Sequence, residues 1–333
     1  MTPPRVVALV GPTASGKSAL AEAVALASLE PPEPPATSGD PGFVPVELVS
    51  VDSMAVYRGM DIGTAKPSAE VRARVRYHLL DLVDPSDEFT VQEFQAAARE
   101  ALDGIADRGN GALLVGGTGL YLRSLVDDLA FPGRFPEVMA SLVDELDAAG
   151  PEGSDGERHA LAGLYARLAA LDPAAAARME PTNRRRLVRA LEVTIGSGHP
   201  FSSFGPGLEA YPVSPVRLVG IRYDPGVADT RIAHRFHALM DAGFLDEVRG
   251  LAGRPGGISR TARQALGYRE LLSHLEDGVS LADAVDEAIR RTRVFARRQA
   301  AWFRRDPRIV WLGPDDDLAG RIGELFEAPT GPG

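Results

Sequence analysis

One stretch near the start of the chain limits what the rest can be: Arg5-Val6-Val7-Ala8-Leu9-Val10-Gly11-Pro12-Thr13-Ala14-Ser15-Gly16-Lys17-Ser18. Its apolar run reads as a buried strand, Gly11 to Ser18 matches G-x-x-x-x-G-K-[ST], and Ala19 to Leu29 continues as an Ala/Leu-rich helix. Strand, glycine loop and helix in that order are the setting of a phosphate-binding loop. Backbone N–H groups of the loop and the positive end of the helix dipole then face a di- or triphosphate. On this reading Gly11, Pro12, Thr13, Ala14, Ser15 and Gly16 wrap the phosphates, Lys17 bridges their oxygens and the Ser18 hydroxyl holds Mg2+. The alternative is a plain glycine turn joining strand to helix.

The charge balance excludes an advertised nucleic-acid binder: the net charge is −10, so any such site must be a local basic patch. The chain has no cysteine, which rules out disulfides and cysteine-based zinc sites. With no apolar run approaching membrane-spanning length, and a first strand beginning at Arg5, a cytoplasmic protein without a membrane partner is expected. Of 36 basic residues only Lys17 and Lys66 are lysine. Where arginine has replaced lysine almost everywhere, the survivors mark places that need a compact ammonium. Lys66 is therefore a candidate phosphate contact beside Lys17.

Strands and helices alternate along the first 127 residues. Val46 to Val51 is a second strand, Thr90 with Glu93 makes a capping box opening a helix to about Arg108, and Ala112 to Val115 is another buried strand. Such alternation predicts an α/β fold, a P-loop NTPase-like parallel sheet covered on both faces. Residues 128–215 change character to helical segments with Pro and Gly breaks, read as a helical insertion domain. Strand chemistry returns at Val216 to Ile221, followed by helices near 227–251, 261–276 and 281–305 and a last strand at Ile309 to Leu312. The core thus resumes over 216–313 with C-terminal helices, and 314–333 reads as a flexible tail. The Pro/Gly-rich stretch 30–45 reads as a mobile surface loop.

Ligands of open α/β sheets sit beyond the carboxyl ends of the strands. Three such ends carry distinctive polar groups: the phosphate loop, Asp52-Ser53, and Gly116-Gly117-Thr118-Gly119. A carboxylate beside phosphate is repulsive unless it has a task, so Asp52 either helps hold magnesium or accepts a proton, unless it merely caps a turn. Thr118, flanked by glycines that admit a close ligand, can donate to a phosphate oxygen.

Six segments together resemble the tRNA dimethylallyltransferases, bacterial members of the tRNA isopentenyltransferase family. They are Gly11 to Ser18; Val51 to Pro67 as V-D-S-M-A-V-Y-R-G-M-D-I-G-T-A-K-P; and Val115 to Tyr121 as V-G-G-T-G-L-Y. Asn183 to Glu192 as N-R-R-R-L-V-R-A-L-E, Gln264 to Arg269 as Q-A-L-G-Y-R and Thr292 to Phe303 as T-R-V-F-A-R-R-Q-A-A-W-F complete the set. The resemblance implies transfer of a dimethylallyl group from dimethylallyl diphosphate to the exocyclic amine of the adenosine just 3′ of a tRNA anticodon, by a monomer using Mg2+. It implies that the phosphate loop grips the prenyl diphosphate, that Thr118 contacts the bridging oxygen and that Asp52 accepts the amine proton. Asp52, Ser53, Met54 and Ala55 would touch the tRNA anticodon stem-loop.

Further contacts are expected from basic residues: Arg231 and Arg235 towards diphosphate or RNA phosphate, and Arg185, Arg186 and Arg189 with Leu187 and Val188 at the RNA. Arg263, Arg269, Arg297 and Arg298 join them, the last two within a run of eight arginines between 290 and 308. Phe295, Trp302 and Phe303 are read as core-facing by helical spacing. Two departures stand out: 30–45 is long, and Met139 follows Pro136-Glu137-Val138 where relatives carry arginine, with Arg134 nearby as a substitute. The competing readings are a prenyltransferase for free adenine nucleotides, a P-loop kinase or ATP-driven switch, and a non-catalytic RNA-binding protein.

Overall fold

Val7 to Val10 are almost completely buried, so the first strand must lie inside a sheet rather than at its edge. In the computed structural model, which describes residues 5–30, 44–205, 207–313 and 316–327, it does. The strands are β1 (Val6–Val10), β2 (Val46–Val51), β3 (Tyr77–His78), β4 (Gly111–Gly116), β5 (Arg217–Ile221) and β6 (Val310–Leu312). They form one sheet in the order β3-β2-β4-β1-β5-β6, with every pairing parallel. The chain leaves β1 towards β2 on one side and later enters β5 on the other, so β1 stands at the switch point where such sheets take ligands.

Two compact units result, residues 1–128 with 213–333, and residues 129–212. In the sheet-containing unit, α1 (Lys17–Ala27), α2 (Ala69–Arg74), α3 (Val91–Asp107) and α4 (Gly119–Val126) follow the first strands. Thr90 caps α3 as its sequence requires: Glu93 N–H donates to Thr90 Oγ1 at 3.2 Å and Thr90 N–H to Glu93 Oε2 at 2.8 Å. The helical unit holds α5 (Pro136–Ala149), α6 (Asp155–Leu171), α7 (Pro173–Ala176) and α8 (Arg184–Ser197), packed through Leu142, Leu146, Leu164, Leu168, Leu187 and Leu191.

The final part of the sheet unit carries α9 (Pro225–Asp241), α10 (Phe244–Ala252), α11 (Tyr268–Asp277), α12 (Leu281–Phe303) and α13 (Leu318–Glu327). The single helix expected near 227–251 is two, broken at Gly243, whose φ of 97° is left-handed. The tail expected to be flexible holds α13. Ile322 and Phe326 are buried against α1 and the sheet, and Arg5 and Arg217 donate to the carbonyls of Phe326 and Leu325, each at 2.5 Å. A side chain at Gly111 would meet the Phe326 ring at 2.8 Å, so that glycine makes room for the tail. Most of the stretch 30–45 lies outside the described residues.

Candidate active site

The loop after β1 turns sharply into α1. Gly16 takes a left-handed φ of 91° as the residue before the helix, and Ala14, at φ 62°, accepts the same strained region without being glycine. Ser15 N–H donates to Pro12 O at 3.3 Å, and Lys17 Nζ folds back to the same carbonyl at 3.2 Å. The Ser18 side chain belongs to an exposed residue in the first turn of α1.

Parallel pairing of β2 with β4 and of β4 with β1 ends at Val51↔Gly116 and Val10↔Gly116, which brings the three strand ends side by side. Asp52 Oδ1 accepts Met54 N–H at 2.8 Å, an Asx turn, and among the described residues no hydrogen bond reaches its other oxygen. One carboxylate oxygen thus serves the turn while the other accepts no hydrogen bond among the described residues. Thr118 N–H donates to Val51 O at 3.4 Å, and its hydroxyl accepts Ser53 N–H at 3.3 Å. A side chain at Gly116 would come within 2.0 Å of Val51 O, so the β2 and β4 ends meet only because that residue is glycine.

Charge ties the ends together. Burial lowers the Lys17 ammonium to about 8, against the attraction of Asp52 and with the repulsion of Arg235 adding to the fall. Burial likewise lowers Arg235 of α9, again opposed by Asp52. Yet Lys17 is half-buried and Arg235 exposed by surface area. Two cations, Lys17 and Arg235, thus lie within electrostatic reach of one carboxylate, Asp52. A cavity of about 500 Å³ lined by Arg72, Arg74, Arg76, Tyr77, Leu80 and Asp81 at the β3 edge shares none of these residues.

Several of the residues expected at the site have partners or burial of their own within the fold. Lys66 is spent within the fold: its ammonium donates to Tyr57 O at 2.6 Å, Asp61 Oδ1 at 2.8 Å and Asp81 Oδ1 at 2.6 Å, with its side chain 1% exposed. Three acceptors match its three protons, a role within the fold that itself calls for a compact ammonium. Lys66→Arg, a planar fork, should destabilise nearly as much as Lys66→Met. Both should cost ~2–3 kcal/mol, below the ~3–5 of a fully buried broken pair because Asp61 reaches solvent; urea midpoints measure it. Ala55, Leu187 and Val188, expected at the RNA, are buried, at 5%, 0% and 5% exposure. Phe303 is buried as expected, whereas Phe295 is 39% exposed.

The arginine run is less open than its composition suggests. Arg290 pairs with Glu287, Arg291 with Glu270, Arg297 with Asp229, and Arg308 bridges Asp127 and Asp306. Arg263 holds Glu276, and Arg189 holds Glu192 and Pro132 O. Arg185, Arg186, Arg269 and Arg298 are exposed, with no ion pair among the described residues.

The sequence does not single out Gln299, although it lies in one of the quoted segments. Its Oε1 accepts Thr13 N–H at 2.8 Å and its Nε2 donates to Gly117 O at 2.8 Å, so α12 touches both the phosphate loop and the β4 end. The signal available was an amide, 8% exposed, interrupting a stripe of buried alanines at 296 and 300.

Residues 55–306 match the family model described as IPP transferase. The chain belongs to the IPP transferase family. It is 45% identical to the tRNA dimethylallyltransferase of Kineococcus radiotolerans, over 96% of both chains, and 42% identical to that of Streptomyces coelicolor, over 98% of this chain and 94% of the relative. The crystal structure of the tRNA isopentenylpyrophosphate transferase of Bacillus halodurans superposes with a TM-score of 0.63 at 33% identity, covering 96% of this chain and 94% of that one. A eukaryotic dimethylallyltransferase acting on tRNA shares the fold, with a TM-score of 0.69 at 21% identity. The six-stranded parallel sheet with its phosphate loop is thus the IPP transferase architecture, and the protein is an enzyme of that transferase family. Among the described residues no helix is long and apolar enough to cross a membrane.

Proposed function

We propose that the protein transfers the dimethylallyl group of dimethylallyl diphosphate to the N6 amine of adenosine 37 of tRNA, releasing diphosphate. The observation carrying this reading is that Lys17 and Arg235 stand within electrostatic reach of Asp52, while Thr118 is bonded to Ser53 beside it. The allylic carbon–oxygen bond breaks with its electron pair leaving on diphosphate, while the carbon bonds to N6. Lys17, Arg235, the loop N–H groups and Thr118 face the charge that grows on the leaving group, stabilising the transition state more than the ground state. N6 is a weak nucleophile, its lone pair being delocalised into the ring, and the open Asp52 oxygen takes its proton as the bond forms.

Mg2+ fits the donor set only in company with the substrate. Among the described residues no group of three or more His, Asp or Glu could hold a cation, and Mg2+ favours one or two protein oxygens with phosphate and water. Ser18 would supply a hydroxyl, and the ion would neutralise charge on the diphosphate.

The protein acts as a monomer on an extruded base of the anticodon loop. Exposed Arg185, Arg186, Arg269 and Arg298 provide phosphate contacts for the tRNA. Stem-loop affinity should therefore fall roughly tenfold to a thousandfold between low and moderate salt despite the acidic chain, as about three to five neutralised phosphates require; fluorescence anisotropy at two salt concentrations measures it. The deciding test offers labelled dimethylallyl diphosphate with either an anticodon stem-loop or AMP and weighs the products. Label on the stem-loop adenosine supports the reading, and label on AMP alone overturns it.

A further inference from the structure

The hydrogen-bond ladder between β1 and β4 ends at Val10↔Gly116, so nothing in the sheet fixes the spacing of the two loops that continue from it. Gln299 acts as one more rung beyond the ladder. We propose that Gln299 is a positioning residue of the transfer site, its amide setting the separation between the diphosphate loop and Thr118. The proposal rests on the function given above.

A carboxamide suits that place for a reason of chemistry. One end must accept from Thr13 N–H and the other must donate to Gly117 O, both at 2.8 Å, and a neutral group does so without adding charge beside an anion. The fit leaves no slack. A side chain at Gly117 would lie 2.2 Å from Gln299 Nε2, and one at Gly119 the same 2.2 Å from Trp302 Nε1, three residues further along α12. Ala296 and Ala300, 0% and 3% exposed, let the helix come this close. The consequence is catalytic though Gln299 need not touch substrate. Donors on the diphosphate loop and the Thr118 hydroxyl must address one leaving group together, and a misplacement of about 1 Å costs on the order of a hundredfold in rate.

Gln299→Met keeps the length and loses both hydrogen bonds; Gln299→Glu keeps the acceptor for Thr13 and sets oxygen against Gly117 O. Inorganic diphosphate with Mg2+, titrated calorimetrically, reads the loop without requiring any transfer. Both variants should bind it about tenfold or more weakly, with KM for dimethylallyl diphosphate raised and kcat lowered by about tenfold each. Stem-loop affinity should stay near the parent's, while melting temperature falls only by the few degrees that two lost hydrogen bonds cost. Variants that bind diphosphate within twofold of the parent overturn the proposal. So does a parallel loss of melting temperature and stem-loop affinity, or failure of both variants to fold, since either marks a merely structural amide. A parent that binds diphosphate but transfers no prenyl group overturns the proposed function instead and leaves the spacing role to be read from binding alone.

Discussion

Asp52→Asn is expected to retain stem-loop and diphosphate binding while its single-turnover rate falls by about a hundred- to ten-thousandfold. The size follows from removing a positioned base from a step that must deprotonate a poor nucleophile. The geometry survives, because the asparagine carbonyl can still accept Met54 N–H in place of Asp52 Oδ1. What is lost is the negative charge and the second oxygen, which accepts no hydrogen bond among the described residues. The substitution also removes the attraction that holds the Lys17 ammonium up against burial, so Lys17 should titrate lower than its present value of about 8 in the variant. Rapid-quench kinetics at saturating substrates separates the roles. A variant within about threefold of the parent rate would show that Asp52 serves only its turn. Lost Mg2+-dependent diphosphate affinity would instead mark Asp52 as a metal ligand.

The sequence made the chemistry at strand ends legible and hid what holds those ends together. Strand, glycine loop and helix are local signals, and so is the Thr90–Glu93 box; each is written within a few residues and was readable. Lys66 shows the limit. Its rarity marked it as special, but its acceptors Asp61, Tyr57 and Asp81 sit 5, 9 and 15 residues away in loops with no regular spacing, and only their convergence reveals an internal tripod. Gln299 reaches Thr13 across 286 residues, a separation no local pattern encodes. The helix α13 escaped notice because it lies between an acidic run and a Pro/Gly-rich end of the sequence; its order comes from tertiary burial of Ile322 and Phe326 rather than from propensity. Arginine-rich segments misled in the opposite direction. Composition counts charges, whereas Glu287, Glu270, Asp229 and Asp306 had already claimed several of them.

The largest loss in diphosphate handling is expected from Lys17→Ala, with kcat/KM for dimethylallyl diphosphate falling by about a hundred- to a thousandfold. On the proposed function, the loss is of a donor to the charge that develops on the leaving group. Lys17 also supplies a signature that separates its ammonium from a general weakening of the loop. In the empty protein burial holds it to about 8, and a bound dianion or trianion must raise it, since opposite charge favours the protonated form. Below pH 8 the ammonium is already charged before binding, and affinity should not vary on its account. Above pH 8 the empty protein loses the proton that the complex keeps, so affinity should fall with rising pH by up to about tenfold per unit, until the pKa of the complex is reached. The diphosphate's own protonation contributes equally to parent and variant. The difference between their profiles therefore isolates Lys17, with a slope in the parent between pH 8 and 9 that Lys17→Ala lacks. Calorimetric titration of diphosphate across that interval gives the answer, and parallel profiles would remove the buried ammonium from the binding equilibrium.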